Sequence, residues 1–216
     1  MQAPAGDAPT RAADAAAAAV RAALGGVVRG VDLAVVLVSP VARGSVSASV
    51  AASLHAALRC LPRGTPALCV SGATVAGPEG GAGGPPVDTA HAVSVLLARL
   101  PGATVTVSDG DYPSFGENGD GDVAPGDGRV AAWLRAPPRA TLAWCALFLD
   151  GRHNPPFSAT PHVATAYPAA AIVGGVASAR AGGGAVAVGV APCDGEPEVR
   201  EARSPALSIF VPYACR

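Results

Sequence analysis

The chain has 216 residues and a formal net charge of −1, with 50% hydrophobic and 14% charged residues. It is long enough for one large or two small domains whose core needs no disulfide or metal. No stretch approaches the about 18 uninterrupted apolar residues of a membrane span, so we expect a soluble protein. The 15 basic residues are all arginines scattered along the chain, which excludes the clustered basic surface of a nucleic-acid-binding protein.

The cysteines and histidines indicate neither a disulfide framework nor a metal site. The 5 cysteines are odd in number and far apart, no CxxC pair occurs, and the 4 histidines do not fall at metal-ligand spacings with them. The N-terminus lacks the features of a secretory signal, and Asp7 and Asp14 disfavour an organelle transit peptide. The sequence predicts free thiols in the cytoplasm, with organelle targeting as the open alternative, and neither a metal nor a cofactor. Cys69 and Cys145 lie in apolar runs and are predicted to be buried and unreactive.

The first half of the chain predicts two helices and four strands after a disordered lead-in at residues 1–10. In chain order, these are an alanine-rich helix at 11–24, a strand at 33–39, a helix from Ser45 or Ser47 to about 61, and strands at 67–75, 91–100 and 103–108. The apolar run at 33–39 suggests burial on both faces. Pro101-Gly102 separates the last two strands, and this turn chemistry predicts a β-hairpin.

The second half begins with a segment at 109–128 that is acidic and rich in glycine and proline, which predicts a long exposed loop. Its Asp-x-Asp pattern lacks the closing Glu of an EF-hand, so the loop interpretation is favoured over calcium binding. The apolar piece at 130–134 is compatible with a helical turn or a strand. A buried strand at 140–150, a short helix at 158–166, and two strands within 169–191 separated by a triple glycine complete the pattern.

The two halves share the order strand, helix, proline stop, strand with a central glycine, hairpin. We therefore predict an α/β fold with a mixed β-sheet core flanked by helices, built from two pseudo-repeats at about 30–108 and 139–192. A strand–helix–strand unit with both strands in one sheet places them parallel, with a right-handed crossover. Residues 200–216 have no assignment.

Five segments in order resemble a known family: VDLAVVLVSP, LPRGTPALCVSGATVAGP, HAVSVLLARLPGATVTV, TLAWCALFLD and AYPAAAIVGGVASA. They are similar to the N-terminal FIST domain, which occurs in bacterial signal-transduction proteins and in eukaryotic F-box proteins. The most specific piece is AYPAAAIVGGVASA. The resemblance covers roughly residues 10–190, and it defines the domain that we expect at 11–199.

The resemblance implies an intracellular sensory domain that binds a small metabolite such as an amino acid and is not an enzyme. The alternative is a protein-interaction module that recruits substrates to an F-box ubiquitin ligase. Partners would be a small ligand, ubiquitin-ligase components or a separate C-terminal FIST domain, and neither nucleic acid nor a membrane. Family members usually continue into that C-terminal domain, and no F-box precedes residue 24, so a truncated gene product and a stand-alone half domain both agree with the sequence.

Ser71-Gly72 in the strand predicted at 67–75 and the glycine pair Gly174-Gly175 in the later strand mark the candidate ligand site, because glycines inside strands occur at bulges or where a ligand or another backbone approaches closely. We expect backbone amides around them to line a pocket. Loop residues would orient the ligand, with Arg152 able to hold a carboxylate in two-pronged fashion. The candidate residues are Ser71, Gly72, Thr74, Asp150, Arg152, Gly174, Gly175 and Ser178.

Catalytic alternatives have weaker support. The VSGAT sequence around Ser71 is not a GxSxG nucleophile turn, and nothing marks a His and an Asp as its partners, so a hydrolase ranks third. The glycine-rich segment at 80–84 has no lysine to complete a phosphate-binding loop, since the chain contains none.

Overall fold

The computed structural model describes residues 8–25, 30–39, 46–71, 93–109, 112–113, 123–150, 159–177, 186–202 and 205–212, with the backbone alone at 8, 149–150 and 176–177. These parts contain four helices and nine strands. The helices are α1 (Ala8–Gly25), α2 (Val46–Leu58), α3 (Gly128–Trp133) and α4 (Ala159–Ala166). The strands are β1 (Leu33–Val38), β2 (Pro66–Ser71), β3 (Val93–Ala98), β4 (Thr104–Ser108), β5 (Ala140–Asp150), β6 (Ala171–Ala177), β7 (Val186–Val190), β8 (Val199–Glu201) and β9 (Ala206–Pro212).

The strands form two mixed sheets. Sheet A has the order β3-β1-β2-β7-β8, and sheet B has the order β4-β9-β5-β6. Strands β1 and β2 are parallel, as are β5 and β6, and the other pairings are antiparallel. Each parallel pair is joined through a helix, α2 or α4, as the strand–helix–strand pattern predicts.

The sheets stack face to face with helices outside them, giving four layers. Alternate residues of each inner strand enter different clusters, because successive side chains of a strand point to opposite faces. On β5, Ala146 belongs to the cluster between the sheets, whereas Cys145 and Leu147 pack with α3 and α4. On β1, Leu33 faces sheet B and Ala34 faces α1 and α2. The inner strands β1, β2 and β5 are thus covered on two faces, which explains their continuous apolar runs in the sequence.

The predicted fold class is confirmed, since both sheets are mixed and flanked by helices. The strand at 33–39, the helix that follows it and the strand at 140–150 form close to their predicted bounds, and the ambiguous piece at 130–134 is helical. Helix α1 begins at Ala8, inside the segment predicted as a disordered lead-in. The part of the candidate loop at 110–111 and 114–122 lies outside the described residues.

The two predicted hairpins are wrong. Strands β3 and β4 lie in different sheets, as do β6 and β7. The turn at Pro101-Gly102 does form, with the Ala103 amide donating to the Leu100 carbonyl at 3.1 Å, but it carries the chain from sheet A to sheet B. Composition and turn chemistry do not distinguish a hairpin from such a crossing, because the partner strands β1 and β9 are distant in sequence.

The segment left unassigned at 200–216 contributes to the centre of the fold. Strand β9 lies inside sheet B, between β4 and β5, and its Phe210 is fully buried against α3 and α4. None of the helices in the described ranges is long and apolar enough to cross a bilayer.

Candidate functional site

The structure separates the predicted site residues into two groups. Ser71 ends β2 in sheet A, whereas Gly174 and Gly175 lie on β6 in sheet B, beside β5 and its last residue, Asp150. The remaining four candidates, Gly72, Thr74, Arg152 and Ser178, fall outside the described residues.

Ser71 lies on the face of sheet A that α2 covers, since Ala67 and Cys69, which alternate with it, pack in that cluster. It is 1% exposed, and its Oγ has no hydrogen-bond partner in the described part of the chain. The two described histidines are engaged elsewhere, His55 with Glu196 and His162 with the Tyr112 hydroxyl. The structure therefore places a buried hydroxyl here and brings no described histidine into hydrogen-bonding contact with it.

The neighbouring strand β5 leaves room only for a glycine at position 174. Its φ of +149° is a conformation that L side chains rarely adopt, and an added Cβ would lie 1.8 Å from the Leu147 carbonyl oxygen. A Cβ on Gly175 would meet nothing within 4 Å. The close contact at this glycine pair is therefore between the β5 backbone at Leu147 and the backbone of Gly174.

A cavity of about 670 Å³ opens between the two sheets, where β4 and α3 of the sheet B side meet β7 and β8. We call it the inter-sheet cleft. Val107 of β4 and Val188 of β7 line it and also belong to the cluster between the sheets, so they form an apolar floor. Six charged residues also line it, namely Asp109, Arg135, Asp194, Glu196, Glu198 and Arg200, and uncharged residues of 189–193 together with Gly64 complete the lining.

Asp109, just after β4, joins three elements through ion pairs. Arg200 of β8 donates from Nη1 to Asp109 Oδ2 at 2.7 Å, and Arg135, beyond α3, binds the other carboxylate oxygen. Burial of Asp109 by itself raises the pKa of its carboxyl, but the hydrogen bond from Arg200 and the charges of both arginines outweigh it, so the pKa is lowered. Asp109 is therefore an anion that fixes two cations beside the cleft.

The position of Arg135 follows from the way α3 ends. The Asp127 side chain caps the start of this helix by accepting from the Arg129 amide at 2.8 Å, and Thr106 of β4 donates to the Leu134 carbonyl at 2.7 Å. Arg135 then has a φ of +54°, the left-handed conformation that ends many helices and that glycine adopts most readily. This conformation directs the chain past β4, where Arg135 reaches Asp109.

The loop between β7 and β8, residues 191–198, supplies the acidic wall of the cleft. Glu196 pairs with His55 at 3.3 Å and with Arg59 at 3.7 Å, so the loop is held against the C-terminal half of α2. A Cβ on Gly189 would lie 2.9 Å from the Glu198 carbonyl oxygen, which places the Glu198 backbone directly over β7. These ion pairs are largely exposed and so contribute little to stability individually.

The thiols behave as the sequence predicts. Cys69 is fully buried, and burial raises the pKa of its thiol. Burial likewise raises the pKa of Cys145 to about 11, against a smaller opposite effect of the hydrogen bond with Ser208. Both are protonated at neutral pH and unreactive.

Sequence reasoning missed every charged residue of the inter-sheet cleft. Asp109 opens a segment predicted as an exposed loop, Arg135 follows a piece of ambiguous structure, and Arg200 lies in the unassigned segment. One local signal exists: three acids within residues 194–198 directly follow a buried strand, a place where loops carry functional groups.

Comparison of the chain with models of known protein families, with curated proteins and with solved structures finds no match.

Proposed function

We propose that this chain is a small-ligand-binding domain with its ligand in the inter-sheet cleft. The observation that carries the proposal is the cleft itself, about 670 Å³ in volume, with an apolar floor and side chains of both charges. Ligand sites in proteins are mostly apolar concavities of about 300–1,000 Å³ with a few polar groups that orient the ligand. The cleft agrees with this description in size and chemistry.

The charges of the cleft favour a zwitterion such as an amino acid. Arg135 and Arg200 offer hydrogen bonds to a carboxylate, and Glu196 and Glu198 offer acceptors to an ammonium group. Val188 lies at the floor, where a side chain of the ligand would be buried. The resemblance of the sequence to FIST domains favours the same class of ligand, and with it a non-enzymatic sensory role in signal transduction within the cytoplasm.

A thermal-unfolding screen of the purified chain against the amino acids and related metabolites tests the proposal. A ligand that binds only the folded state stabilises it by about 2.7 kcal/mol at one hundred times its dissociation constant. We expect a dose-dependent rise in Tm for one chemical class. A flat screen would favour the protein-interaction module instead.

Two matched variants locate the site. Val190 lines the cleft on β7 and is 50% exposed, whereas Val173 is 47% exposed on β6 and does not line it. We expect Val190→Trp to fill the cleft and abolish the ligand-induced rise in Tm, and Val173→Trp to leave it unchanged. Equal ligand responses from the two folded variants would contradict the assignment to the cleft.

A further inference from the structure

Arg200 has hydrogen bonds to two carboxylates of its own chain, one on each side of the guanidinium group. Its Nη1 binds Asp109 at 2.7 Å. Its Nε and Nη2 both bind Glu198 Oε1, at 2.8 and 2.7 Å. The Nε/Nη2 edge is the edge of a guanidinium that commonly binds a carboxylate in two-pronged fashion.

The two carboxylates differ in how firmly they are held. The Asp109 side chain is 15% exposed and is shared by Arg135 and Arg200, whereas the Glu198 side chain is 73% exposed. The Glu198 backbone is fixed over Gly189, but rotation about its side-chain bonds moves the carboxylate into solvent. An incoming anion therefore displaces Glu198 far more readily than Asp109.

We propose that Glu198 is an internal competitor for the ligand, so that a carboxylate entering the inter-sheet cleft takes its place on the Nε/Nη2 edge of Arg200. The inference rests on the proposed function, because it describes how the ligand binds at the same site. The ligand group that binds Arg200 is a carboxylate, and competition from Glu198 lowers the affinity of Arg200 for it. Asp109 keeps Arg200 oriented while the exchange takes place.

The strength of the competition follows from the exposure of the pair. Ion pairs between exposed side chains are weak, and the bond from Arg200 to Asp109 remains when Glu198 leaves. Removing the Glu198 charge should raise the affinity for a carboxylate by a factor of about two to five.

Propionate, with propionamide as its uncharged match, tests the inference in titrations followed by the Arg200 Nε–Hε resonance in NMR spectra. The variants are Glu198→Gln and its control Asp194→Asn, which removes the same charge from the same loop at a residue that pairs with Arg63 and not with Arg200. We expect Glu198→Gln to bind propionate two- to five-fold more tightly than the unmodified chain. Asp194→Asn should change the affinity less than half as much, and propionamide should bind all three proteins alike.

Equal effects of the two substitutions would overturn the inference, since they would reflect the charge of the loop alone. Propionate binding that Glu198→Gln does not strengthen, or no response of Arg200 in any of the three proteins, would overturn it as well. Binding to Glu198→Gln alone would support it. Different results would contradict the proposed function: a metabolite screen with no rise in Tm, or an equal ligand-induced rise in Tm for Val190→Trp and Val173→Trp.

Discussion

Gly174 lies where no side chain fits. A Cβ there would overlap the Leu147 carbonyl oxygen at 1.8 Å, and its φ of +149° strains any L side chain. We expect Gly174→Ala to lower the free energy of unfolding by about 3 kcal/mol or more, because β6 must move away from β5. Urea unfolding followed by circular dichroism measures the change.

Gly175 provides the control within the same strand. An added Cβ there meets nothing within 4 Å, so Gly175→Ala should change the free energy of unfolding by less than about 1 kcal/mol. Similar stabilities of the two alanine variants would contradict the close approach of Leu147 to Gly174.

The junction of β4, α3 and β8 depends on Asp109 and its two arginines. Asp109→Asn removes the anion but keeps the size of the side chain, and should lower the free energy of unfolding by about 1–2 kcal/mol at pH 7. Asp14→Asn, at an exposed position on α1, is a control that should have almost no effect.

The sign of the pH dependence follows from the lowered pKa of Asp109. A carboxyl with a lower pKa in the folded state contributes its full stabilisation above the pKa of an unfolded aspartate, about 3.9, and loses it as the pH falls through the folded pKa. The difference between the original chain and Asp109→Asn should therefore be constant from pH 7 to about 5 and shrink below about 4. Chemical unfolding at a series of pH values checks this, and a difference that persists unchanged at the lowest pH would contradict the role of the anion.

The sequence predicted the positions of helices and strands better than it predicted which strands pair. The apolar run of β1 and the proline after α2 are local signals, and they predicted those elements close to their observed bounds. Strand pairing depends on segments far apart in the chain, so β3 and β4 were predicted as a hairpin although they pair with β1 and β9. The short, partly polar β8 carries no strand signal of its own, and its pairing with β7 defines it.

At the scale of the whole molecule, the two halves of the chain are interleaved. In sheet A, β1 lies between the antiparallel β3 and the parallel β2, and all three come from the first half of the chain. In sheet B, β5 lies between the antiparallel β9 and the parallel β6, and all three come from the second half. Strand β4 then joins sheet B, and β7 and β8 join sheet A. The inter-sheet cleft forms where these exchanged strands meet, which explains why inspection of either half could not reveal it. The internal repeat in the sequence stays a prediction.

One NMR experiment distinguishes ligand binding in the inter-sheet cleft from ligand binding at Ser71 or Gly174. Backbone and methyl resonances of the isotope-labelled chain would be followed by NMR while the metabolite that raises Tm most in the screen is added. We predict that Val107, Val188 and Arg200, around the inter-sheet cleft, change with a common dissociation constant, while Ser71 and Gly174 do not. Changes centred on Ser71 or Gly174, with none at the cleft, would contradict binding in the cleft and favour the site that the sequence indicated around Ser71-Gly72 or Gly174-Gly175.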